Sequence, residues 1–127
     1  MTDTPSPAVE PDYDALLRAN LQRVFNERDP ALRDAAIADL YVAEPIMYEP
    51  DAIVTGRQAI SDIAGKLLAN FGPDFTFVPE GKGLGHHGMA TLRWHGTRAA
   101  VVGADTAEII DGRIARLWVL LDLAPTS

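Results

Sequence analysis

Two acids in this chain sit where a carboxylate is least expected. Glu49 ends the apolar stretch Ile46-Met47-Tyr48, and Asp105 follows Ala99-Ala100-Val101-Val102-Gly103-Ala104, a run with almost no polarity. A carboxyl turned inward from a strand loses hydration, and its proton affinity rises toward the range useful for acid–base chemistry near neutrality. Glu49 facing in would be a general base. Facing out, it is a solvated turn acid beside Pro50. Strand alternation puts Val101, Gly103 and Asp105 on one face, where small neighbours leave room for a ligand. An acid held there can stay protonated and donate a hydrogen bond to a developing oxyanion. The alternative is a core aspartate bonded to Thr106 or to a backbone amide.

Other candidate chemistries find less support. His86, His87 and His95 raise the question of a metal, but adjacent strand residues face opposite ways and His86 and His95 differ in parity. No H-x-H or H-E-x-x-H spacing occurs, so no metal site is expected. Gly81-Lys82-Gly83-Leu84-Gly85 lacks the Gly-Lys-Ser/Thr ending and the strand–turn–helix setting of a phosphate loop, and reads as a flexible connection. Ser6 and Ser61 have no visible base-and-acid arrangement. The absence of cysteine removes disulfides, thiolate metal sites and thiol nucleophiles.

The chain that must position these residues has 127 of them, enough for one domain with a single layered core. Its hydrophobic fraction of 47% is that of a globular protein. The net charge of −7, with Lys and Arg scattered, argues against nucleic acid and anionic membranes as partners. The first residues, MTDTPSPAVEP, have no basic or apolar region of a signal peptide, and no apolar run approaches the ~20 residues of a membrane span. The expectation is a cytoplasmic protein with a mobile tail over 1–11 and one domain over 12–124.

From Asp12 the pattern is helical: Tyr13, Leu16, Leu17, Leu21, Val24 and Phe25 recur at three- and four-residue steps, with Asp12 or Asp14 as cap. Asp29-Pro30 restarts the chain in a second helix, Ala31 to Tyr41, burying Leu32, Ala35, Ala36, Ile37 and Leu40. A short hairpin follows, Pro45–Glu49 and Ala52–Thr55 around Pro50-Asp51. Gly56 then opens a third helix, Arg57 to Asn70, with Ile60, Ile63, Leu67 and Leu68 on its apolar face. Phe75, Phe77 and Pro79 alternate in a strand whose proline implies an edge. Two long strands, His86–His95 and Arg98–Ile110, meet at Gly96-Thr97, and Asp111-Gly112 is a strong hairpin signal before a last strand, Arg113–Leu123. Three helices, one hairpin and a meander of long strands make an α+β fold with helices on one face of the sheet.

This order, with Tyr48-Glu49-Pro50, the Gly56-Arg57 helix opening and AEIIDGRIARLWVLLD from Ala107 to Asp122, resembles the SnoaL-like and ketosteroid isomerase-like branch of the nuclear transport factor 2-like superfamily. The resemblance spans about Tyr13 to Leu123. It implies a cone in which three N-terminal helices pack on a strongly bent, mostly antiparallel sheet around an apolar pocket. Aligned from Gly56-Arg57, Glu49 falls at the catalytic aspartate of ketosteroid isomerases. Aligned from Gly112-Arg113-Ile114, Asp105 falls at their protonated oxyanion-hole aspartate. Two departures stand out: Glu replaces Asp at the base position, and the oxyanion tyrosine of the first helix falls near Leu21, which has no hydroxyl.

The resemblance implies a small, apolar or carbonyl-bearing ligand and cofactor-independent isomerase or cyclase chemistry, with Glu49 moving a proton beside the carbonyl and Asp105 stabilising the enolate. By alignment His86 shares the inward face with Ala90, Leu92 and Trp94, as a neutral donor or proton carrier or else as a satisfied structural histidine. Trp94 would stack over a planar ligand or pack in the core, its indole N–H needing a partner either way. Tyr48, Ile63, Leu92, Leu117 and Leu121 complete the expected substrate-binding set. Trp118 and Leu120 then point outward, two large apolar side chains that suggest a subunit interface; homodimers through that face are also what the resemblance implies. The other reading is a binding or assembly module without catalysis. Hydrolysis of the epoxide-hydrolase kind would need a converging Asp-Arg-Asp set, which Arg93 and Arg98 do not supply.

Overall fold

The computed structural model describes residues 10–97 and 100–123. Asp12 caps the first helix, α1 (Tyr13–Ala19), accepting a hydrogen bond from the Ala15 amide at 3.0 Å. The helix then continues in π-helical form over Asn20–Phe25, closed by the Asn26 amide donating to the Leu21 carbonyl at 2.8 Å. One face of this combined helix buries Tyr13, Leu17, Leu21, Val24 and Phe25, and with them Asn20.

Helix α2 (Pro30–Leu40) starts as Asp29-Pro30 predicts, with the Asp29 carboxylate accepting from the Ala31 amide at 2.9 Å. Its buried face differs from the expected one. Leu32 and Ala35 lie exposed, whereas Arg33 is buried with Ala36, Ile37 and Leu40. The cause is Gly65 of the third helix, α3 (Arg57–Phe71): having no side chain, it leaves a gap that the Arg33 guanidinium fills. There Arg33 donates to the Ser61 hydroxyl at 3.1 Å and to the Glu27 carbonyl at 2.7 Å. Helix α3 turns Ile60, Ala64 and Leu68 fully inward and leaves Ile63, Leu67 and Phe71 half-buried.

Six strands form one sheet: β1 (Tyr41–Glu49), β2 (Ala52–Thr55), β3 (Phe77–His86), β4 (Met89–Gly96), β5 (Val101–Ile110) and β6 (Arg113–Leu123), in the order β2-β1-β6-β5-β4-β3. All neighbours are antiparallel except β1 and β6. The sheet is therefore mostly antiparallel, with the helices packed on it, as expected of an α+β chain. Tyr41 starts β1 instead of ending α2. Pro45, which has no amide hydrogen to give, falls where the β1–β6 ladder shifts register. Asp111 and Gly112 both take positive φ, 53° and 77°, as the two-residue β5–β6 turn requires.

Two expectations about the middle of the chain are corrected. Gly81–Gly85 is no linker but the body of edge strand β3, with a register shift between Glu80 and Leu84. Here glycine serves close approach: a Cβ on Gly85 would sit 2.6 Å from the Tyr13 ring, so its absence lets α1 lie down on β3. The β3–β4 turn falls at His87-Gly88, which moves the start of β4 from His86 to Met89. The expected start of β5 at Arg98 lies outside the described residues, as does 1–9 of the expected tail. Glu10 is engaged with the domain, its carboxylate accepting from the Tyr13 hydroxyl and from the His87 amide.

Candidate functional site

Strand periodicity sorts the sheet into two faces. Met47, Leu92, Trp94, Asp105, Ala107, Leu117 and Val119 are buried under the helices, while Trp118 and Leu120 face out. Tyr48 also faces out, its ring stacked on Trp118 at 4.9 Å and 8°. Its expected place in a ligand pocket is therefore corrected: Met47 takes the inward position and Tyr48 the outward one. Glu49, one step further, returns to the inner side. Its Oε1 is buried without a hydrogen-bond partner. Burial, followed by the nearby Asp51 charge, raises its pKa above the ordinary carboxylate value.

Asp105 stands at the centre of a buried polar network and is 3% exposed. The Trp94 indole donates to Oδ1 at 3.0 Å, and the Asn20 amide approaches Oδ2 at 3.5 Å, the long limit of a hydrogen bond. The Tyr41 hydroxyl donates to Asn20 Oδ1 at 2.6 Å. Asn20 and Tyr41 are fully buried. Burial drives the Asp105 pKa up to about 7 against the opposing pull of the Trp94 and Asn20 donors. The same burial, with the Asp105 charge nearby, holds the Tyr41 phenol well above its usual value. Among the described residues no backbone amide bonds to this carboxyl, and Thr106 pairs instead with Thr91 on the outer face.

Asp105 opens onto a small, partly enclosed cavity lined by the π-helical turn (Leu21, Phe25), α3 (Leu67, Phe71) and the sheet (Phe77, Trp94, Val101, Val119, Leu121). Among the described residues Asp105 is the one ionisable side chain in that lining. The inner space is tight, with room for on the order of one or two waters as the side chains stand. Phe77 meets Trp94 edge-on at 5.0 Å and 87°, which fixes the indole over the carboxyl.

Glu49 does not touch the cavity wall, yet the strand register brings it near. Asp105 pairs with Val119, and Glu49 lies one residue beyond the parallel pair Tyr48–Trp118, hence beside Val119. Two inter-strand steps separate the acids, about 10 Å between Cα positions. By register both lie on the inner side of the sheet with Val119 between them, Asp105 fully buried and Glu49 half-buried at the strand end.

The remaining expected ligand contacts divide. Trp94 and Leu121 line the cavity. Leu92 and Leu117 are buried in the solid core beside it, and Ile63 is half-buried outside its lining. His86 is corrected: it is exposed at the end of β3, its Nδ1 3.2 Å from that of His87, because β4 begins three residues later than its parity assumed. His95 lies on the outer face against Glu80 at 2.9 Å. Among the described residues no three His, Asp or Glu side chains gather as a cation site. Asn20 was missed. Its signal was positional: seven residues after Tyr13 and three after Leu17, it falls within the buried stripe of the first helix.

No protein-family model and no curated protein sequence matches the chain. Solved structures do. A proposed isomerase of the SnoaL-like family from Agrobacterium tumefaciens superposes with a TM-score of 0.80 at 21% identity, over 87% of this chain and 97% of that one. A proposed ketosteroid isomerase from Kribbella flavida gives 0.69 at 18%, over 91% and 82%. A proposed polyketide cyclase from Sinorhizobium meliloti gives 0.66 at 16%, over 83% and 93%. This chain has the nuclear transport factor 2-like fold. In that fold the observed cavity lies between helices and sheet, and both acids belong to the inner sheet face. No helix among the described residues is long and apolar enough to cross a membrane.

Proposed function

We propose that the protein binds a small, largely apolar, carbonyl-bearing molecule in the Asp105 cavity and moves a proton next to its carbonyl, as an isomerase or cyclase. The observation that carries this reading is one buried carboxyl, Asp105, held by two donors as the one ionisable side chain among the described residues lining an apolar pocket, with burial pushing its pKa up to about 7. A general acid or base works best with a pKa close to the working pH. In its protonated form Asp105 offers a hydrogen bond to a carbonyl oxygen on which negative charge develops. Glu49 is the base in this reading: one oxygen is buried and unpartnered and its pKa is raised, and because it lies across Val119 from Asp105, outside the cavity lining, the ligand must extend past Val119 to meet both acids. The chemistry needs no cofactor. The likeness to SnoaL-like, ketosteroid isomerase and polyketide cyclase structures supports the same general kind of reaction.

The test is deuterium uptake from D2O at the carbon beside the carbonyl, followed by NMR across a panel of apolar cyclic and aryl ketones. The wild-type protein should accelerate exchange for at least one that binds, and Glu49→Gln should slow it about a hundredfold or more while the fold stays intact. Exchange untouched by Glu49→Gln removes the base. Ketones that bind without exchange favour the second reading, a non-catalytic module. A specific observation supports that one too: the exposed face carrying the Tyr48–Trp118 stack, Leu120 and Val102 suits a second copy of the chain.

A further inference from the structure

The Asp105 network has a direction, and Asn20 sets it. Tyr41 Oη and Asn20 Oδ1 are 2.6 Å apart, the separation of an O–H···O bond and shorter than usual for N–H···O. The amide oxygen is thus taken by Tyr41, and the amide nitrogen faces Asp105. On the other side the Trp94 indole can only donate. Both protein groups reaching the carboxyl are donors, so when Asp105 carries a proton, none of its hydrogen-bonding partners can accept it. The open direction is the cavity.

We propose that Asn20, fixed by Tyr41, is the positioning residue of Asp105. It holds one carboxyl oxygen from inside the protein, so that the hydrogen Asp105 gains or loses is exchanged with the molecule in the cavity. The π-helical turn is the device that delivers it. The extra residue in the turn widens the helix at Asn20, and π-turns inserted in helices commonly mark functional positions. A purely structural role would be filled as well by an apolar side chain in this otherwise apolar stripe, at no desolvation cost for an amide.

The proposal deepens the proton-transfer reading by giving the site its preference. With the proton present, the cavity takes a ligand with an acceptor, a ketone. With the proton lost, it takes one with a donor, an enol or a phenol. Among the described residues no other charged group lines the cavity. Tyr41 is the titratable neighbour from β1, while β4, β6 and α3 present Leu92, Val119, Leu67 and Phe71, and Glu49 stands beyond Val119.

The test reads the proton directly: the 13C carboxyl titration of Asp105, assigned by its loss in Asp105→Asn, in full-length protein without ligand. Asn20→Leu removes a donor that favours the ionised form and should raise the midpoint by about one pH unit. Tyr41→Phe keeps the donor but unlocks its orientation, leaves the packing nearly unchanged and should raise the midpoint less. A midpoint unmoved or lowered in either variant overturns the proposal, whatever happens to thermal stability. The titration needs no substrate. Shifted midpoints in a protein without exchange activity leave Asn20 in its role and sink the proton-transfer reading; unmoved midpoints in an active protein do the reverse.

Discussion

At the scale of single residues, the cavity forces one acid to hold its proton, and that has a thermodynamic consequence. Between the ordinary value of 3.8 and about 7, folded Asp105 keeps a proton that the unfolded chain has released. Its contribution to stability therefore declines as pH rises through that interval and is flat above it, a total on the order of 4 kcal/mol. Glu49 acts with the same sign. Glu10, held low by the Tyr13 hydroxyl and the His87 amide, and Asp14, held low by the Gly83 amide and Arg18, act with the opposite sign at more acid pH. Urea unfolding at pH 5 and pH 8 should show the wild type losing stability at the higher pH and Asp105→Asn losing much less. Equal slopes for the two proteins would mean that Asp105 is not buried as an acid. The burial of Asp105 and of one Glu49 oxygen could be anticipated from the sequence, because each acid interrupts an apolar strand. Their partners were not: Asn20 is 85 residues from Asp105, and local patterning cannot report a hydrogen bond across that separation.

At the scale of elements, periodicity and turn chemistry were readable wherever one physical cause dominated. The Asp111-Gly112 turn and the alternation that sends Leu117 and Leu121 inward and Trp118 and Leu120 outward follow from positive φ and a period of two, and both stand in the structure. Reading failed where a residue type has two uses. Glycines in β3 looked like a loop, yet Gly83 and Gly85 lie beneath Asp14 and Tyr13 and let α1 approach the edge strand. The apolar residues of α2 point to a buried face with Leu32 and Ala35 in it, yet Arg33 is buried in their stead, filling the space over Gly65. The His86 misplacement followed from the glycines, since the hidden strand β3 takes His86 as its last residue and leaves it off the strand that carries Leu92 and Trp94 inward. Gly85→Ala, meeting the Tyr13 ring and the Met89 carbonyl, should cost about 1–3 kcal/mol in chemical denaturation. A neutral outcome would show that α1 does not rest on β3.

At the scale of the whole molecule, one sheet separates two kinds of surface. The inner face and the helices close over a dry carboxyl; the outer face carries Leu120 at 56% and Val102 at 46% exposure beside the Tyr48–Trp118 stack. The proposed pairing of two copies through this face predicts that wild-type protein sediments as a dimer and Leu120→Lys as a folded monomer; a wild-type monomer at high concentration would dispose of that interface. The account as a whole depends on the inner face. Its most direct measurement is the carboxyl titration of wild-type Asp105 by 13C NMR. A midpoint near 7 is the predicted result; a midpoint near 4 would contradict it, placing the carboxylate in contact with water and leaving the cavity without its proton.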